Sequence, residues 1–131
     1  MDPQLERSIR TIYEAFKAGD FDRLLANLRP DAMFVNPADA IEPGTRHGRE
    51  GFLVALRSLH EQFDYDVVDP YELVEGEGCV LVSVRLGGLG RTSGARFDQE
   101  SFQIFRIRDG RVTAFEWYLD RDEARRAAGL D

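Results

Sequence analysis

The stretch "ARFDQESFQIFRIRDGRVTAFEWYL", residues 95–119, decides the fold of this chain. Two runs rich in aromatic and β-branched side chains, residues 95–107 and 111–119, flank the dipeptide Asp109-Gly110. An Asp-Gly pair accepts the positive φ angles of a tight hairpin turn, and the flanking runs have strand composition. The stretch therefore predicts two long antiparallel strands.

The same pattern continues towards the N-terminus. Between Val80 and Leu86 every second side chain is apolar, which is the period of a strand with two different faces. Strands are predicted over residues 65–74 and 79–86, so that four strands form an antiparallel meander. A short strand, Met33–Asn36, lies further upstream.

Three helices are predicted before the meander. Asp2 and Pro3 supply an N-cap and a first-turn proline for the first helix, and Gly19 ends it. Asp20 caps a short second helix, which we expect Pro30 to close. The apolar residues recur at steps of three and four. They are Leu5, Ile9, Ile12, Tyr13 and Phe16 in the first helix, Leu24, Leu25 and Leu28 in the second, and Phe52, Leu56, Leu59 and Phe63 in the third.

A small C-terminal helix completes the prediction. Asp120 and Glu123 form a D-x-x-E capping arrangement, and Gly129 ends the helix. Helices followed by a long antiparallel sheet indicate an α+β fold in which the sheet buries one face against the helices. A sheet of this length curls, and its concave side is where a cavity would form. We expect residues 1–131 to form a single domain.

Composition excludes several classes of function. The net charge is −7 and the basic residues are scattered, so we expect no nucleic-acid partner and no membrane partner. Cys79 is the only cysteine, which excludes an intrachain disulfide. His47 and His60 lack further ligands at metal-binding spacing, and we predict neither a metal nor a cofactor. The charged start "MDPQLERSIR" is unlike a signal peptide, so we expect a cytoplasmic protein.

The order of elements and four segments resemble the nuclear transport factor 2-like (NTF2-like) superfamily, in its SnoaL-like and ketosteroid-isomerase-like branches. The resemblance extends from Leu5 to Leu130. It implies a cone-shaped fold, with a curved antiparallel sheet wrapped around the N-terminal helices. The segments are "AGDFDRLLANLRPDAMFVNP" (18–37), "HGRE" (47–50), "RDGRV" (108–112) and "WYLDRDEARRAAGL" (117–130).

The resemblance also implies catalytic positions that this chain has changed. The isomerase branch uses an aspartate base on the first strand, a tyrosine on the first helix and an aspartic acid on the penultimate strand. These positions fall on Asn36, Ile12 and Gln103. An amide cannot accept a proton from carbon, which disfavours the steroid-isomerase mechanism. The epoxide-hydrolase acid falls on Trp117 and no Arg-x-Asp pair completes that triad, so this mechanism is disfavoured too.

The predicted site is an apolar pocket with two amides. Asn36 and Gln103 would face one cavity and bind an oxygen of the ligand, although an Asx turn before Pro37 explains Asn36 equally well. If the protein is an enzyme, His60 or Asp39 would transfer the proton. The predicted walls of the pocket are Phe16, Phe34, Leu56, Phe105, Phe115 and Trp117.

Three functions are compatible with these residues. The first is a binding domain for a small hydrophobic molecule that bears an oxygen, non-catalytic or of unassigned activity. The second is an enzyme of the polyketide cyclase, isomerase or lyase kind, in which the amides stabilise an oxyanion. The third is a dimerisation module with a filled core. A homodimer through the convex face is predicted in any case, because an apolar patch there would mark an interface. That patch comprises Leu81, Phe102, Ile104 and Tyr118.

Overall fold

A computed structural model describes residues 1–38, 40 and 43–130. The described residues form four helices and six strands, and the α+β fold class is the one that the sequence predicts. In chain order the elements are α1 (Pro3–Ala18), α2 (Phe21–Ala26), β1 (Leu28–Asn36), β2 (Gly44–His47), α3 (Gly48–Gln62), β3 (Phe63–Gly76), β4 (Cys79–Gly90), β5 (Arg96–Arg108), β6 (Arg111–Tyr118) and α4 (Arg121–Ala127).

The strands form one sheet in the order β2-β1-β6-β5-β4-β3. Strands β3 to β6 make the predicted antiparallel meander. Asp109 and Gly110 both have positive φ at the β5–β6 turn, which confirms the hairpin. Strand β1 pairs with β6 in parallel, so the sheet is mixed rather than purely antiparallel. The sequence did not predict β2, which is short and mostly exposed.

The helix ends follow the predicted capping residues at the N-terminus. The Asp2 carboxylate accepts the N–H of Gln4, and Gly19 ends α1 in the left-handed conformation. The Asp20 carboxylate caps α2 in the same way. The prediction for α4 is only half right, because Asp120 occupies the N-cap but its side chain makes no capping hydrogen bond.

Strand β1 begins earlier than predicted. Leu28 is fully buried and pairs with Val112 of β6, whereas the sequence assigned it to the second helix. The pairing with β6 is irregular between Leu28 and Met33. Pro30 lies in this irregular stretch, where a residue without an N–H is tolerated. Pro30 therefore belongs to a bulged strand, and α2 ends before it at Ala26.

The inner face of the sheet packs against α1, α2 and α3. Ile9 of α1, Leu24 of α2 and Leu56 of α3 join inner-face residues such as Val82 and Phe105 in one buried cluster. This cluster is the main hydrophobic core. Among the described residues, no helix has the length and apolar character that a membrane span requires.

The outer face of the sheet corrects the predicted exposed patch. Leu81, Phe102 and Ile104 are buried, because Ala124 and Ala128 at the C-terminal end of the chain pack on them. The patch is a second, smaller core beneath α4. It is not an apolar surface available to a partner, so the prediction of an exposed apolar patch on the convex face is wrong.

Backbone irregularities bend the sheet near β3 and β4. Strand β3 is bulged between Tyr65 and Val67, opposite Gly87 and Gly88. A Cβ on Gly88 would collide with the backbone carbonyl of Asp64, so only glycine permits this approach of the two strands. Strand β4 therefore continues through Gly87, Gly88 and Gly90, beyond the predicted end at Leu86.

Candidate functional site

Polar side chains form a row across the inner face. Asn36 ends β1, and the register that pairs Val35 with Glu116 places it beside Trp117. Trp117 in turn pairs with Gln103 of β5. The row Asn36–Trp117–Gln103 therefore crosses three neighbouring strands.

One end of this row is half-buried. The Trp117 Nε1–H donates to Asn36 Oδ1 at 2.9 Å, across the β1–β6 edge. The Asn36 Nδ2 group donates at 3.5 Å to the Gly44 carbonyl, which is a weak hydrogen bond. Both Asn36 and Trp117 are partly exposed. The Asn36 carboxamide is thus held across the sheet, with donor capacity to spare.

The other end of the row is buried. Gln103 is 8% exposed, and its Oε1 accepts the hydroxyl hydrogen of Tyr13 at 2.6 Å. Its Nε2 donates to Ser101 Oγ at 3.1 Å. Burial raises the pKa of the Tyr13 hydroxyl well above its usual value of 10.0, so the group stays a neutral donor. The inward direction predicted for Gln103 is confirmed.

The helix residue that contacts Gln103 is Tyr13. The resemblance assigns the neighbouring residue Ile12 to the tyrosine position of the isomerase branch, whereas the hydroxyl that donates to Gln103 belongs to Tyr13. Ile12 is also buried, in the apolar core. Tyr13 was the one side chain with a polar tip in the apolar stripe of the first helix, and a buried hydroxyl needs a partner. That signal was available in the sequence.

The predicted pocket walls lie together on the inner face. Phe34, Leu56 and Phe105 are buried, whereas Phe16, Phe115 and Trp117 are partly exposed. All six belong to the main core or pack against it.

These walls contact one another closely. The ring centroid of Phe115 lies 5.0 Å from that of Phe34 and 5.3 Å from that of Phe105. Phe52 of α3 packs on Phe34 at 5.1 Å, and the sequence had not placed it in the site. These aromatic side chains therefore form one contiguous cluster on the inner face, next to the polar row.

Two depressions of the described surface lie elsewhere. One, of about 350 Å³, lies on the outer face between Val67 and Glu100. The other, of about 330 Å³, lies between α1 and β3, and Tyr13 forms part of its wall. Asn36 and Gln103 line neither of them.

His60 has a structural environment. Its Nε2 lies 2.8 Å from the Phe16 carbonyl, so this nitrogen carries the proton and donates. The ring packs edge-on against Phe16 and Phe21 and also contacts Tyr65. His60 thus binds the last turn of α1, where orphan carbonyls need donors. Its recorded partners do not include Asn36 or Gln103. Asp39, the other candidate for proton transfer, and Glu42 lie outside the described residues.

The site supplies hydrogen-bond donors on an apolar background. After the recorded bonds, the Asn36 and Gln103 amides each keep an N–H that could reach an acceptor. Tyr13 and Trp117 are neutral donors already engaged with these amides. Such an arrangement can orient a carbonyl or stabilise an oxyanion. Among the four side chains of this network, none titrates near neutral pH.

The fold is that of the NTF2-like proteins, as three solved structures show. An NTF2-like protein of unknown function from Burkholderia pseudomallei is 23% identical, with a TM-score of 0.77 over 95% of this chain and 96% of that one. TerC, co-crystallised with polyporic acid, is 21% identical, with a TM-score of 0.76 over 95% and 96%. A protein of ketosteroid-isomerase-like fold from Catenulispora acidiphila, in complex with trimethylamine, is 16% identical, with a TM-score of 0.75 over 100% and 96%. At these identities the likeness concerns the fold.

Within that fold class, the chain belongs to the SnoaL-like domain family, whose profile matches residues 9–115. Among proteins with curated descriptions, none matches the sequence significantly. The resemblance drawn from the sequence is confirmed.

Proposed function

We propose that this protein binds a small hydrophobic molecule bearing an oxygen, against the inner face of the sheet. The polar row carries this proposal. Asn36, Trp117 and Gln103 are lined up on a largely apolar face, with Tyr13 above them. A few convergent donors in an apolar setting are typical of small-molecule sites. The trimethylamine and polyporic acid complexes of the two relatives are in keeping with it.

The chemistry of the row favours binding over proton transfer. The resemblance places acids where this chain has Asn36 and Gln103, and amides neither give nor take protons near neutral pH. Burial raises the pKa of Tyr13, so its hydroxyl stays protonated at neutral pH and no phenolate is available as a base. The ligand would enter at the half-buried Asn36–Trp117 end, with its oxygen directed towards the amides.

The single tryptophan makes the proposal testable. Because the Trp117 indole is hydrogen-bonded to Asn36, a ligand at the row should shift or quench its fluorescence. We would titrate the protein with polyporic acid and with steroid-like and polyketide-like compounds, and measure thermal shifts in parallel. We expect at least one compound to saturate both signals.

Variants test whether the fluorescence and thermal-shift signals come from binding at the polar row. Asn36→Ala should weaken binding about tenfold, the equivalent of losing roughly 1.4 kcal/mol from one hydrogen bond. Asn27→Ala is the matched control, since the Asn27 amide donates to the Arg23 carbonyl in α2 and its loss should leave affinity unchanged. The absence of any response across the panel would contradict the proposal. The proposal would also be contradicted if neither Asn36→Ala nor Gln103→Ala changed the affinity.

The second candidate is an enzyme of the polyketide cyclase, isomerase or lyase kind. The Tyr13 hydroxyl favours it, because a tyrosine on the first helix is one of the oxyanion donors that the resemblance implies. Chromatography of the incubated compounds would detect turnover. Catalysis requires Tyr13→Phe to lower kcat with ligand affinity maintained, whereas a binding domain returns every ligand unchanged. His60→Ala tests that residue as the base in the same assay.

Homodimerisation and a cytoplasmic location stay predictions. Since α4 covers the apolar part of the outer face, a second copy would have to use the remaining part, near Tyr71, Arg85 and Glu100. This surface carries both charge signs and is thus compatible with a symmetric contact. Light scattering at micromolar concentration decides the matter, and a mass of one chain would exclude the dimer.

A further inference from the structure

Two arginines converge at the opposite end of β1 from Asn36. Arg49 Nη2 donates to the Leu28 carbonyl at 2.6 Å, and Arg111 Nη2 donates to the same oxygen at 3.3 Å. The two nitrogens are therefore no more than about 6 Å apart, a distance at which like charges repel. The Leu28 carbonyl that they share has no net charge, so it does not neutralise the two guanidinium groups.

Neither Arg49 nor Arg111 forms an ion pair with a carboxylate in the described part of the chain. Asp31 is bound by Arg29, whose hydrogen bond lowers the pKa of that carboxyl, and Arg108 attracts it too. This corner is locally basic in a chain whose net charge is −7.

One buried donor at this corner is left without a partner among the described residues. Arg49 Nε is buried and makes no hydrogen bond, although a buried donor of this kind is costly unless it is satisfied. Arg49 also lies in the first turn of α3, whose N-cap residue His47 contributes no side-chain hydrogen bond. The positive end of the helix dipole thus adds to the two guanidinium charges.

We propose that Arg49 and Arg111 form a binding site for a small oxyanion, a phosphate or carboxylate group of a ligand distinct from the molecule at the polar row. Guanidinium groups offer forked donors that match either group, and two of them can bridge one anion. Each arginine keeps further N–H groups after its bond to Leu28. The anion would neutralise the pair.

The test uses inorganic phosphate as the probe, with chloride at equal ionic strength as the reference. We expect phosphate to raise the thermal midpoint more than chloride does, and to shift backbone amide signals of residues 28, 49 and 111 in NMR spectra in a saturable way. Acetate in a parallel titration distinguishes a carboxylate site from a phosphate site. A specific response to either anion supports the proposal.

Variants distinguish a loss of anion binding at this site from a general change in the structure. Arg111→Gln should weaken phosphate binding at least tenfold, and Arg49→Lys, which keeps the charge but loses the fork, should weaken it measurably. Arg57→Gln, on the exposed side of the same helix, is the matched control and should leave the affinity unchanged. If neither anion exceeds chloride with the wild-type protein, or if Arg57→Gln and Arg111→Gln reduce the affinity equally, the site is overturned.

Discussion

Removal of the Tyr13 hydroxyl tests the buried half of the polar row. In Tyr13→Phe the ring remains against Phe105, but Gln103 Oε1 loses the donor that lies 2.6 Å away. Tyr13 and Gln103 are only 6% and 8% exposed, so water does not easily replace that donor. An unsatisfied buried acceptor costs about 1–3 kcal/mol, and we expect the free energy of unfolding to fall by that amount.

Urea denaturation at neutral pH measures this loss, provided that the m-value is unchanged. The double variant Tyr13→Phe/Gln103→Leu should lose less stability than the two single variants together, because it leaves neither partner orphaned. Strict additivity, or a loss below about 0.5 kcal/mol in Tyr13→Phe, would refute the claim that this hydrogen bond is buried and unreplaced.

Two further predictions concern the backbone and the pH dependence. Gly88→Ala should destabilise the fold by about 3 kcal/mol or more, because its methyl group would collide with backbone atoms of β3. Gly110→Ala has open space around it and should cost only about 1 kcal/mol of left-handed strain. Urea midpoints compare the two variants, and equal losses would contradict the close approach of the strands at Gly88. Burial raises the pKa of Tyr65 and of Tyr118 to about 12 from 10.0. Since the folded state holds these protons more tightly, their contribution to stability should be constant below about pH 10, and stability should fall as the pH rises from about 10 towards 12. A flat profile over that range would exclude the effect.

The fold was predictable because its signals are local. Alternation in β4 and the Asp109-Gly110 turn fixed the meander, and Asp2, Gly19 and Asp20 fixed the ends of the first helices. The parallel pairing of β1 with β6 was not predictable in this way. It joins residues far apart in the chain, and no turn chemistry sets its register.

The residues of the candidate site were easier to predict from the sequence than the contacts between them. The inward direction of Gln103 and Trp117 followed from strand alternation. The resemblance directed attention to Ile12, whereas Tyr13 makes the hydrogen bond to the sheet. Consecutive residues of a helix differ in direction by about 100°, so a difference of one position decides which side chain makes this contact. The burial of Ile104 depends on α4 folding back onto the sheet, a tertiary contact that the periodicity of β5 does not specify.

The covering role of α4 has a consequence for synthesis. A helix of seven residues has almost no stability by itself and forms only when it docks on a completed sheet. Because translation proceeds from the N-terminus, Leu81, Phe102 and Ile104 emerge from the ribosome before Ala124, which later shields them. Until α4 docks, the apolar outer face of the sheet is therefore exposed. During that interval, chaperones or neighbouring nascent chains have access to this face.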